Sequence, residues 1–225
     1  MKNREIRITE DGSTTLELIG LNEHFHSTHG AIQESMHIFI QNGLLQKAKE
    51  KRELRIFEMG FGTGLNALLT LIESSKNNLI IDYLTIEAYP VEEELIKQLN
   101  FPQQLYLEEL EKHNFYKLHT SLWNQKTEIS PNFHFEKQNL KLEEISLEAE
   151  AIDLVYFDAF NPDLQPDLWT EEVFSKIYFA MKPAGILMTY SAKGKVKRAL
   201  KSAGFILNSL PGPIGKREIT QAVKI

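Results

Sequence analysis

Alternating glycines after an apolar run are the first feature of this sequence that could do chemistry. Residues 54–57 are mostly apolar, Glu58 follows them, and Gly60, Gly62 and Gly64 then precede an apolar helical pattern. Glycine permits positive φ and lets a ligand approach the backbone, while the first turn of a helix offers free N–H groups. The pattern predicts a strand, a loop that binds a nucleoside cofactor, and a helix.

The glycine spacing is compatible with two cofactors. Gly62, Gly64 and Ala67 satisfy the loosened dinucleotide fingerprint, and Glu87 stands 20 residues farther on, where an acid binds the ribose of NAD. Glu58 completes the pattern E-x-G-x-G-x-G, which is usual in methyltransferases. Their cofactor, S-adenosyl-L-methionine, carries an ammonium and a sulfonium that suit a carboxylate. We favour this cofactor, and an NAD-binding oxidoreductase stays open as an alternative.

Acids follow three of the predicted strands, at the edge where open parallel sheets bind ligands. They are Glu58, Glu87 and Asp158. We expect Glu87 to accept hydrogen bonds from both ribose hydroxyls of the cofactor, as a carboxylate can do. Phe160 and Pro162 follow Asp158, and this order is similar to the D-P-P-Y loop of enzymes that methylate amino groups.

The carboxylate of Asp158 suits methyl transfer to nitrogen. An alkyl amine has a pKa of about 10 and is mostly protonated at neutral pH, yet only the neutral amine can attack a methyl group. A carboxylate can bind the ammonium, orient its nitrogen and accept a proton. Because the negative charge also raises the pKa of the amine, we favour orientation as the role of this catalytic residue. The ring of Phe160 could stack on a flat base or a cation.

Strand-like and helical patterns alternate after the glycine loop. Further strands are predicted at 79–86, 133–135, 152–157, 186–190, 205–208 and 218–223, and helices at 65–74, 91–100, 171–181 and 195–202. The last two strands are joined without a helix and therefore pair antiparallel or lie apart. The pattern predicts an α/β fold with a doubly wound, mostly parallel, seven-stranded sheet, Rossmann-like, of the class I methyltransferase type.

The first 45 residues carry a different pattern. Residues 4–9 and 14–19 alternate in polarity around Asp11-Gly12, which predicts a β-hairpin, and residues 31–42 predict a helix that is capped by Gly43. We expect residues 1–45 to pack as a hairpin and helix on the core, and residues 46–225 to form an S-adenosylmethionine-dependent methyltransferase domain.

Composition limits the classes of protein. The chain has 225 residues, a net charge of −6 and no cysteine, which rules out disulfides and thiolate metal sites. His24, His26 and His29 lack a supporting acid or cysteine, so no metal is predicted. The amino terminus has no apolar signal core and no segment approaches the length of a membrane span. We therefore expect a cytoplasmic protein without a membrane partner.

Charge is distributed unevenly along the chain. Residues 182–225 contain nine Lys or Arg and one acid, a charge of +8, whereas the first 181 residues carry −14. This asymmetry indicates a basic docking face on an acidic body. A solvated amphipathic helix at 195–202 would explain part of the same pattern and stays open.

Four stretches together resemble the methyltransferase domain of the MnmC family of bifunctional tRNA-modification enzymes. They are residues 30–39 with 42–44, 61–66, 158–162 with 166–169, and 215–218. The resemblance implies methyl transfer to the amine of 5-aminomethyl-(2-thio)uridine at the tRNA wobble position. A small-molecule amine methyltransferase, an aminopropyltransferase-like enzyme and a tRNA-binding protein without catalysis remain alternatives.

The resemblance also implies roles for individual residues. The cofactor would be bound by Glu58, Gly60, Gly62, Gly64, Asn66, Glu87 and Asn139. The substrate amine would meet Asp158 in a pocket that includes Glu34, His37, Phe160 and Trp169. Phosphates of tRNA would contact Lys193, Lys195, Lys197, Arg198, Lys216 and Arg217. Bifunctional members carry an oxidoreductase domain for which this chain leaves no room, so we expect an upstream tRNA-modifying enzyme to supply the aminomethyl group.

Overall fold

A small antiparallel sheet precedes the main sheet of the protein. The structure is a computed structural model and describes residues 4–21 and 23–225. Strands β1 (Arg4–Ile8), β2 (Thr14–Leu18) and β3 (Glu23–His24) form the small sheet. Because β1 and β2 pair antiparallel, with Ile8 opposite Thr14, the predicted hairpin is confirmed, and β3 extends it.

An eight-stranded sheet forms the centre of the fold. Its strands are β4 (Glu53–Met59), β5 (Ile80–Ile86), β6 (Thr127–Ser130), β7 (Phe133–Gln138), β8 (Ile152–Phe157), β9 (Met181–Thr189), β10 (Ile206–Pro211) and β11 (Glu218–Val223). They lie in the order β10-β11-β9-β8-β4-β5-β7-β6. The five strands from β9 to β7 in this order are parallel, and β6, β10 and β11 are antiparallel to their neighbours.

Helices connect the strands and lie on both faces of the sheet. They are α1 (Ala31–Ser35), a π-helical segment (Met36–Leu44), α2 (Leu45–Lys47), α3 (Leu65–Lys76), α4 (Glu93–Ile96), α5 (Phe101–Gln104), α6 (Glu109–Thr120), a 3₁₀ turn (Pro166–Trp169), α7 (Glu171–Ala180) and α8 (Gly194–Ser202). The predicted doubly wound, mostly parallel α/β fold is confirmed. The strand count rises to eight because the short edge strand β6 pairs with β7. None of the helices described here combines the length and apolar character of a membrane span.

Two apolar clusters cover the two faces of the sheet. Ile56 and Tyr156 belong to the cluster that packs under the helical segment 31–47 and α3, whereas their neighbours Phe57 and Phe157 belong to the cluster under α7 and α8. All four side chains are fully buried. Strands that are covered on both faces read as continuous apolar runs, and this explains why the sequence pattern located the central strands so well.

Gly43 does not cap the first helix, and this prediction is wrong. The helical backbone continues through Gly43 to Lys47. A Cβ atom at Gly43 would lie 3.1 Å from Cγ of Met188 and 3.5 Å from Leu154 and Tyr156. Glycine therefore lets this segment approach β8 and β9 closely, a tertiary demand that a local capping pattern does not reveal.

The helix predicted at 91–100 is shorter than expected. Only α4 is helical there, and α5 begins at Phe101 after a break. Asn100 bonds the N-terminal hairpin, because its Oδ1 accepts from the Thr14 N–H at 2.8 Å and its Nδ2 donates to the Gly12 carbonyl at 2.9 Å. These contacts hold the chain out of a continuous helix and tie the hairpin to the main domain.

Candidate functional site

A cavity of about 1260 Å³ opens at the carboxyl ends of β4, β5 and β8. The order of the parallel strands reverses between β4 and β8, and open α/β sheets bind ligands at such a switch point. The cavity exceeds the roughly 300–1,000 Å³ of a typical small-ligand site, so it has room for two ligands side by side.

The glycine loop forms one wall of this cavity. Gly60, Gly62 and Gly64 have φ of 95°, 50° and 71°, in the left-handed region that glycine adopts without strain. A Cβ at Gly60 would lie only 3.0 Å from the carbonyl oxygen of Asp158. Glycine therefore lets the loops after β4 and β8 touch. Gly60 and Gly62 line the cavity, and Gly64 lies at the start of α3.

Glu87 faces the glycine loop from the end of β5. Its carboxylate accepts the Gly62 N–H at 3.0 Å and the Tyr89 N–H at 2.8 Å. An ionised carboxylate has about four lone-pair directions, so each oxygen keeps one for a further donor. Glu87 lines the cavity and is placed to accept from hydroxyl groups there.

Glu58 lies beneath the cavity and not in its lining. The side chain is fully buried and neither carboxylate oxygen has a hydrogen-bond partner among the described residues. Three neighbouring polar atoms share this condition: Asn66 Oδ1, Tyr83 OH and Thr85 Oγ1. Burial raises the pKa of Glu58 to about 8, so the group is mostly protonated at neutral pH in this structure.

Asp158 follows β8 and points into the cavity beside the glycine loop. Asn66 Nδ2, from the first turn of α3, donates to its Oδ2 at 2.8 Å. Burial raises the pKa of Asp158 to about 7, and the hydrogen bond from Asn66 opposes that rise. A carboxyl group with a pKa near 7 can accept a proton at neutral pH and later release it.

An aromatic pair stands next to Asp158. Phe160 and Phe25 both line the cavity, and their rings meet edge to face with centroids 5.0 Å apart. Trp169 was predicted as a wall of the pocket and is not one. It is buried behind the loop, where its Nε1–H donates to the carbonyl of Phe160 at 2.9 Å and its ring packs on Phe157. Trp169 therefore supports Phe160.

Two more predicted residues lie outside the cavity lining. The Nε2 atom of His37 is 2.8 Å from the carbonyl oxygen of Pro211, so the ring contacts the end of β10 and the pocket assignment of His37 is corrected. Asn139 Nδ2 donates to the carbonyl of Glu87 at 2.8 Å and so helps to fix the backbone of a residue that lines the cavity. Its contact with a cofactor stays a prediction.

Glu34 and Lys216 meet inside the cavity. Lys216 donates to Oε1 of Glu34, and its ammonium lies 4.9 Å from the ring centroid of Tyr190. All three residues line the cavity. Lys216 was predicted to contact tRNA phosphate from an exposed face, whereas in this structure its ammonium is held by a carboxylate and a ring.

Most of the other basic residues in the carboxyl region also have acidic partners. Lys193 and Lys195 bind the two oxygens of Asp163 at 2.5 and 2.6 Å, and Lys197 binds Glu218 at 2.8 Å. Arg198 and Arg217 are exposed and form no ion pair with any residue in 4–21 or 23–225. These two arginines are the predicted tRNA contacts whose charge is most available.

The three clustered histidines do not come together around a metal site. His26 is buried between Thr15 and Thr63, 3.1 and 3.2 Å from their hydroxyls, and burial lowers its pKa to about 4. His29 lies 3.0 Å from Glu10 on the surface. Over residues 4–21 and 23–225, no group of three or more His, Asp or Glu side chains is arranged to hold a metal ion.

Sequence reasoning missed Tyr190 and Phe25. Tyr190 is the first residue after β9, so the rule that selected acids at strand ends would have found it if aromatic residues had been included. Phe25 directly follows β3 of the small sheet and is far in sequence from the glycine loop. No local pattern indicates that the hairpin reaches over the glycine loop.

Comparisons with known proteins agree with this geometry. A family model described as S-adenosyl-L-methionine-dependent methyltransferase matches residues 100–225, more than half of the chain. The tRNA 5-methylaminomethyl-2-thiouridine biosynthesis bifunctional protein MnmC of Burkholderia pseudomallei is 27% identical over 223 residues, which cover 92% of this chain and 34% of the relative. The MnmC protein of Campylobacter hominis is 29% identical over 184 residues, which cover 77% of this chain and 26% of the relative. The chain thus spans about a third or less of the length of these curated relatives.

Solved structures give the same picture. The crystal structure of MnmC2 from Aquifex aeolicus matches with a TM-score of 0.81 and 26% identity, covering 100% of this chain and 71% of that chain. Spermidine synthase from Thermotoga maritima matches with a TM-score of 0.63 and 16% identity, covering 100% and 70%. The latter is a likeness of fold alone. The family match favours S-adenosyl-L-methionine over NAD as the cofactor.

Proposed function

Since the chain belongs to a family of S-adenosyl-L-methionine-dependent methyltransferases, we propose that it methylates the amine of 5-aminomethyl-(2-thio)uridine at the wobble position of tRNA. The observation that carries the proposal is the position of Asp158. Its carboxyl group lies in one cavity with the glycine loop and Glu87, at the switch point of the sheet. A carboxylate beside a methyl-donor site can bind an ammonium group and orient its nitrogen toward the methyl group.

The residues around the glycine loop fit S-adenosyl-L-methionine. Gly60 and Gly62 leave the backbone open, Glu87 offers acceptors for ribose hydroxyls, and the acidic lining suits a cationic ligand. The unpartnered polar atoms around Glu58 are consistent with a polar group or water that binds there when the cofactor is present. The cofactor supplies an electrophilic methyl group. We propose that Gly60, Gly62, Asn66 and Glu87, which line the cavity, hold it, and that Glu58, Gly64 and Asn139 act from behind this lining.

Asp158 would act on the amine in two ways. Its carboxylate binds the ammonium and orients the nitrogen, and Asn66 fixes the rotation of that carboxylate. The amine must lose a proton before it attacks. A carboxyl group whose pKa lies at about 7 can take that proton near neutral pH, so the raised pKa supports a general-base role in addition to orientation. Phe160 and Phe25 supply an apolar wall for the pyrimidine ring.

The tRNA itself would bind by charge. Arg198 and Arg217 are exposed on the carboxyl-terminal part of the chain and would contact phosphates with little sequence readout. An upstream enzyme would supply the aminomethyl group, and the protein would act in the cytoplasm with its tRNA. We further propose that residues 1–45 form an addition to the methyltransferase domain of residues 46–225.

Nucleoside mass spectrometry tests the proposal directly. The full chain is incubated with S-adenosyl-L-methionine and tRNA that carries 5-aminomethyl-2-thiouridine, and the product is digested and analysed. We expect conversion to 5-methylaminomethyl-2-thiouridine. Methylation of putrescine or spermidine without methylation of this tRNA would reject the substrate and favour a small-molecule amine enzyme.

A catalytic variant refines the test. Asp158→Asn should reduce kcat by about 10²–10⁴-fold, which is the usual contribution of a general acid or base, while tRNA and cofactor affinities change little. Lys112→Asn, at a half-exposed lysine near the start of α6, is the control. Turnover by Asp158→Asn at the wild-type rate would overturn the role of Asp158.

A further inference from the structure

A cationic side chain of the protein already occupies part of the cavity. The ammonium of Lys216 binds the Glu34 carboxylate and lies 4.9 Å from the centre of the Tyr190 ring. A carboxylate and an aromatic face together are a favourable environment for an ammonium ion. Glu34 is buried, so its charge is directed at the cavity and not at bulk solvent.

The two groups that hold this ammonium are themselves fixed. Oε2 of Glu34 accepts the N–H of Ser27 at 2.7 Å, and the hydroxyl of Tyr190 donates to the carbonyl of Ala159 at 2.9 Å. Because Ala159 follows Asp158 directly, this bond places the Tyr190 ring beside the proposed catalytic residue. The carboxylate and the ring thus form a built site, independent of the group that fills it.

Lys216 is the adjustable member of the three. It lies in the turn between β10 and β11, next to exposed Gly215, whose φ is 84°. Its side chain keeps 30% exposure, compared with 10% for Glu34. A lysine has four rotatable side-chain bonds, so its ammonium can leave without movement of the backbone.

We propose that Glu34 and Tyr190 complete, beside Asp158, the binding site for the primary ammonium of the acceptor, and that Lys216 fills this site until the acceptor displaces it. This inference rests on the proposed function, since the acceptor is taken to be an aminomethyl pyrimidine. Glu34 and Lys216 also have opposite effects on Asp158, because the Glu34 carboxylate raises the pKa of Asp158 and the Lys216 ammonium lowers it. An acceptor that replaces one ammonium with another preserves this balance, whereas an uncharged acceptor does not.

Displacement gives selectivity for charge. An acceptor with an ammonium can compete with Lys216 for Glu34, while one with a hydroxyl leaves the carboxylate without a cation. The displaced lysine is then available at the mouth of the cavity for a phosphate. The apparent affinity for a small acceptor should therefore be reduced by the fraction of protein in which Lys216 occupies the site.

Calorimetric titration with two nucleosides tests the inference on the full chain with S-adenosyl-L-homocysteine present. The probes are 5-aminomethyluridine and its uncharged analogue 5-hydroxymethyluridine, neither of which carries phosphate. We expect Lys216→Met to bind the amine about tenfold more tightly than wild type, with unchanged affinity for the alcohol. Glu34→Gln should bind the amine more weakly. Lys112→Met, which removes a lysine from an exposed ion pair on α6, is the matched control and should behave as wild type.

Opposite effects of the two substitutions are the signature of competition, because damage to the fold would weaken both. Equal affinity of Lys216→Met and wild type for the amine would overturn the inference. An equal gain in the affinity of Lys216→Met for both nucleosides would also overturn the inference. So would a failure to detect binding of the amine to either Lys216→Met or the wild type. Because the experiment measures binding, it separates the two proposals. If the two variants shift amine affinity in opposite directions but the tRNA is not methylated, only the proposed tRNA substrate is rejected. If the tRNA is methylated but the affinities do not shift in this way, only the proposed ammonium site is rejected.

Discussion

Asn66 connects the two sides of the cavity through one amide group. It lies in the first turn of α3, after the glycine loop, and its Nδ2 donates to Oδ2 of Asp158 at 2.8 Å. The sequence associated Asn66 with the cofactor, whereas the structure adds a contact with the proposed catalytic residue. A hydrogen bond to a carboxylate favours its charged form, and this bond indeed lowers the pKa of Asp158.

Removal of this amide should change the pH dependence of catalysis. In Asn66→Ala the pKa of Asp158 rises, so the acidic limb of the kcat/KM profile should move up by about one pH unit, the scale set by a hydrogen bond to a charged group. Asn77→Ala makes the same substitution at the far end of α3 and should leave the limb in place. If the acidic limb of Asn66→Ala stays at the wild-type pH, as that of Asn77→Ala should, the positioning role of Asn66 is contradicted.

Glu58 should make stability depend on pH. Burial raises its pKa from 4.5 to about 8, so the folded protein holds a proton that the unfolded chain releases at lower pH. Stability therefore falls as pH rises from 5 toward 8 and levels off above it. Between pH 6 and 9 the cofactor-free wild type should lose about 3 kcal/mol of unfolding free energy relative to Glu58→Gln, since each pKa unit corresponds to about 1.4 kcal/mol.

Urea denaturation of both proteins at several pH values measures this difference. Glu172→Gln replaces an exposed acid in the first turn of α7 and should track the wild type. Parallel pH curves for wild type and Glu58→Gln would show that Glu58 is charged in the folded protein, contrary to the expectation.

At the scale of elements, the contact between the helical segment 31–47 and the sheet depends on Gly43. A side chain there meets Met188 first and then Leu154 and Tyr156, all of which are buried. Gly43→Leu should destabilise the fold by about 1–3 kcal/mol or more, the usual range for overpacking. Leucine is a better helix former than glycine, so helix propensity acts in the opposite direction and the loss reports packing.

Gly194→Leu is the matched control for this prediction. Gly194 is exposed at the start of α8, where an added Cβ has only the flexible Arg198 within 4 Å. We expect unfolding free energies that differ little from wild type. Equal losses in the two variants would mean that glycine at position 43 is not required for close packing.

The sequence predicted those elements whose side chains repeat a local pattern. The central strands, α3, α7 and α8 were located because apolar runs and helical periodicity mark them directly. The edge strand β6 was missed because Thr127–Ser130 is short and mostly polar, and its pairing with β7 is a tertiary contact. Trp169 was placed in the pocket because local order does not tell which side of a loop an aromatic ring faces.

The site residues also divide into those that a local rule predicts and those that depend on tertiary contacts. Asp158, Glu87 and the glycines were found because topology alone brings strand ends together. Glu58 was expected to face the ligand, yet adjacent residues of a strand point to opposite faces, and its carboxylate lies among Tyr83, Thr85 and Asn66 beneath the floor. The pairing of Glu34 with Lys216 joins residues 182 positions apart, and no spacing rule predicts it.

At the scale of the whole molecule, charge is divided into a basic carboxyl-terminal region and an acidic remainder. The formal charge of the carboxyl-terminal region overstates the positive charge that a binding partner can reach. Lys193 and Lys195 share Asp163, Lys197 is paired with Glu218, and Lys216 lies inside the cavity with Glu34. Arg198, Lys201 and Arg217 are exposed and have no ion-pair partner among the described residues. A tRNA that binds this region should therefore depend on the two arginines more than on the four paired lysines.

The salt dependence of tRNA affinity tests this ranking. Each phosphate contact that is lost reduces the slope of log K against log salt by about 0.7–0.9, because one set of counterions is no longer released. The double variant Arg198→Gln with Arg217→Gln should thus lower the slope by about 1.4–1.8. Lys193→Gln with Lys195→Gln removes the same formal charge, yet these lysines already have Asp163 as counterion, and the slope should change by less than half as much. Fluorescence anisotropy with labelled tRNA at several salt concentrations measures both slopes, and equal changes would mean that tRNA displaces Asp163 and uses all four cations alike.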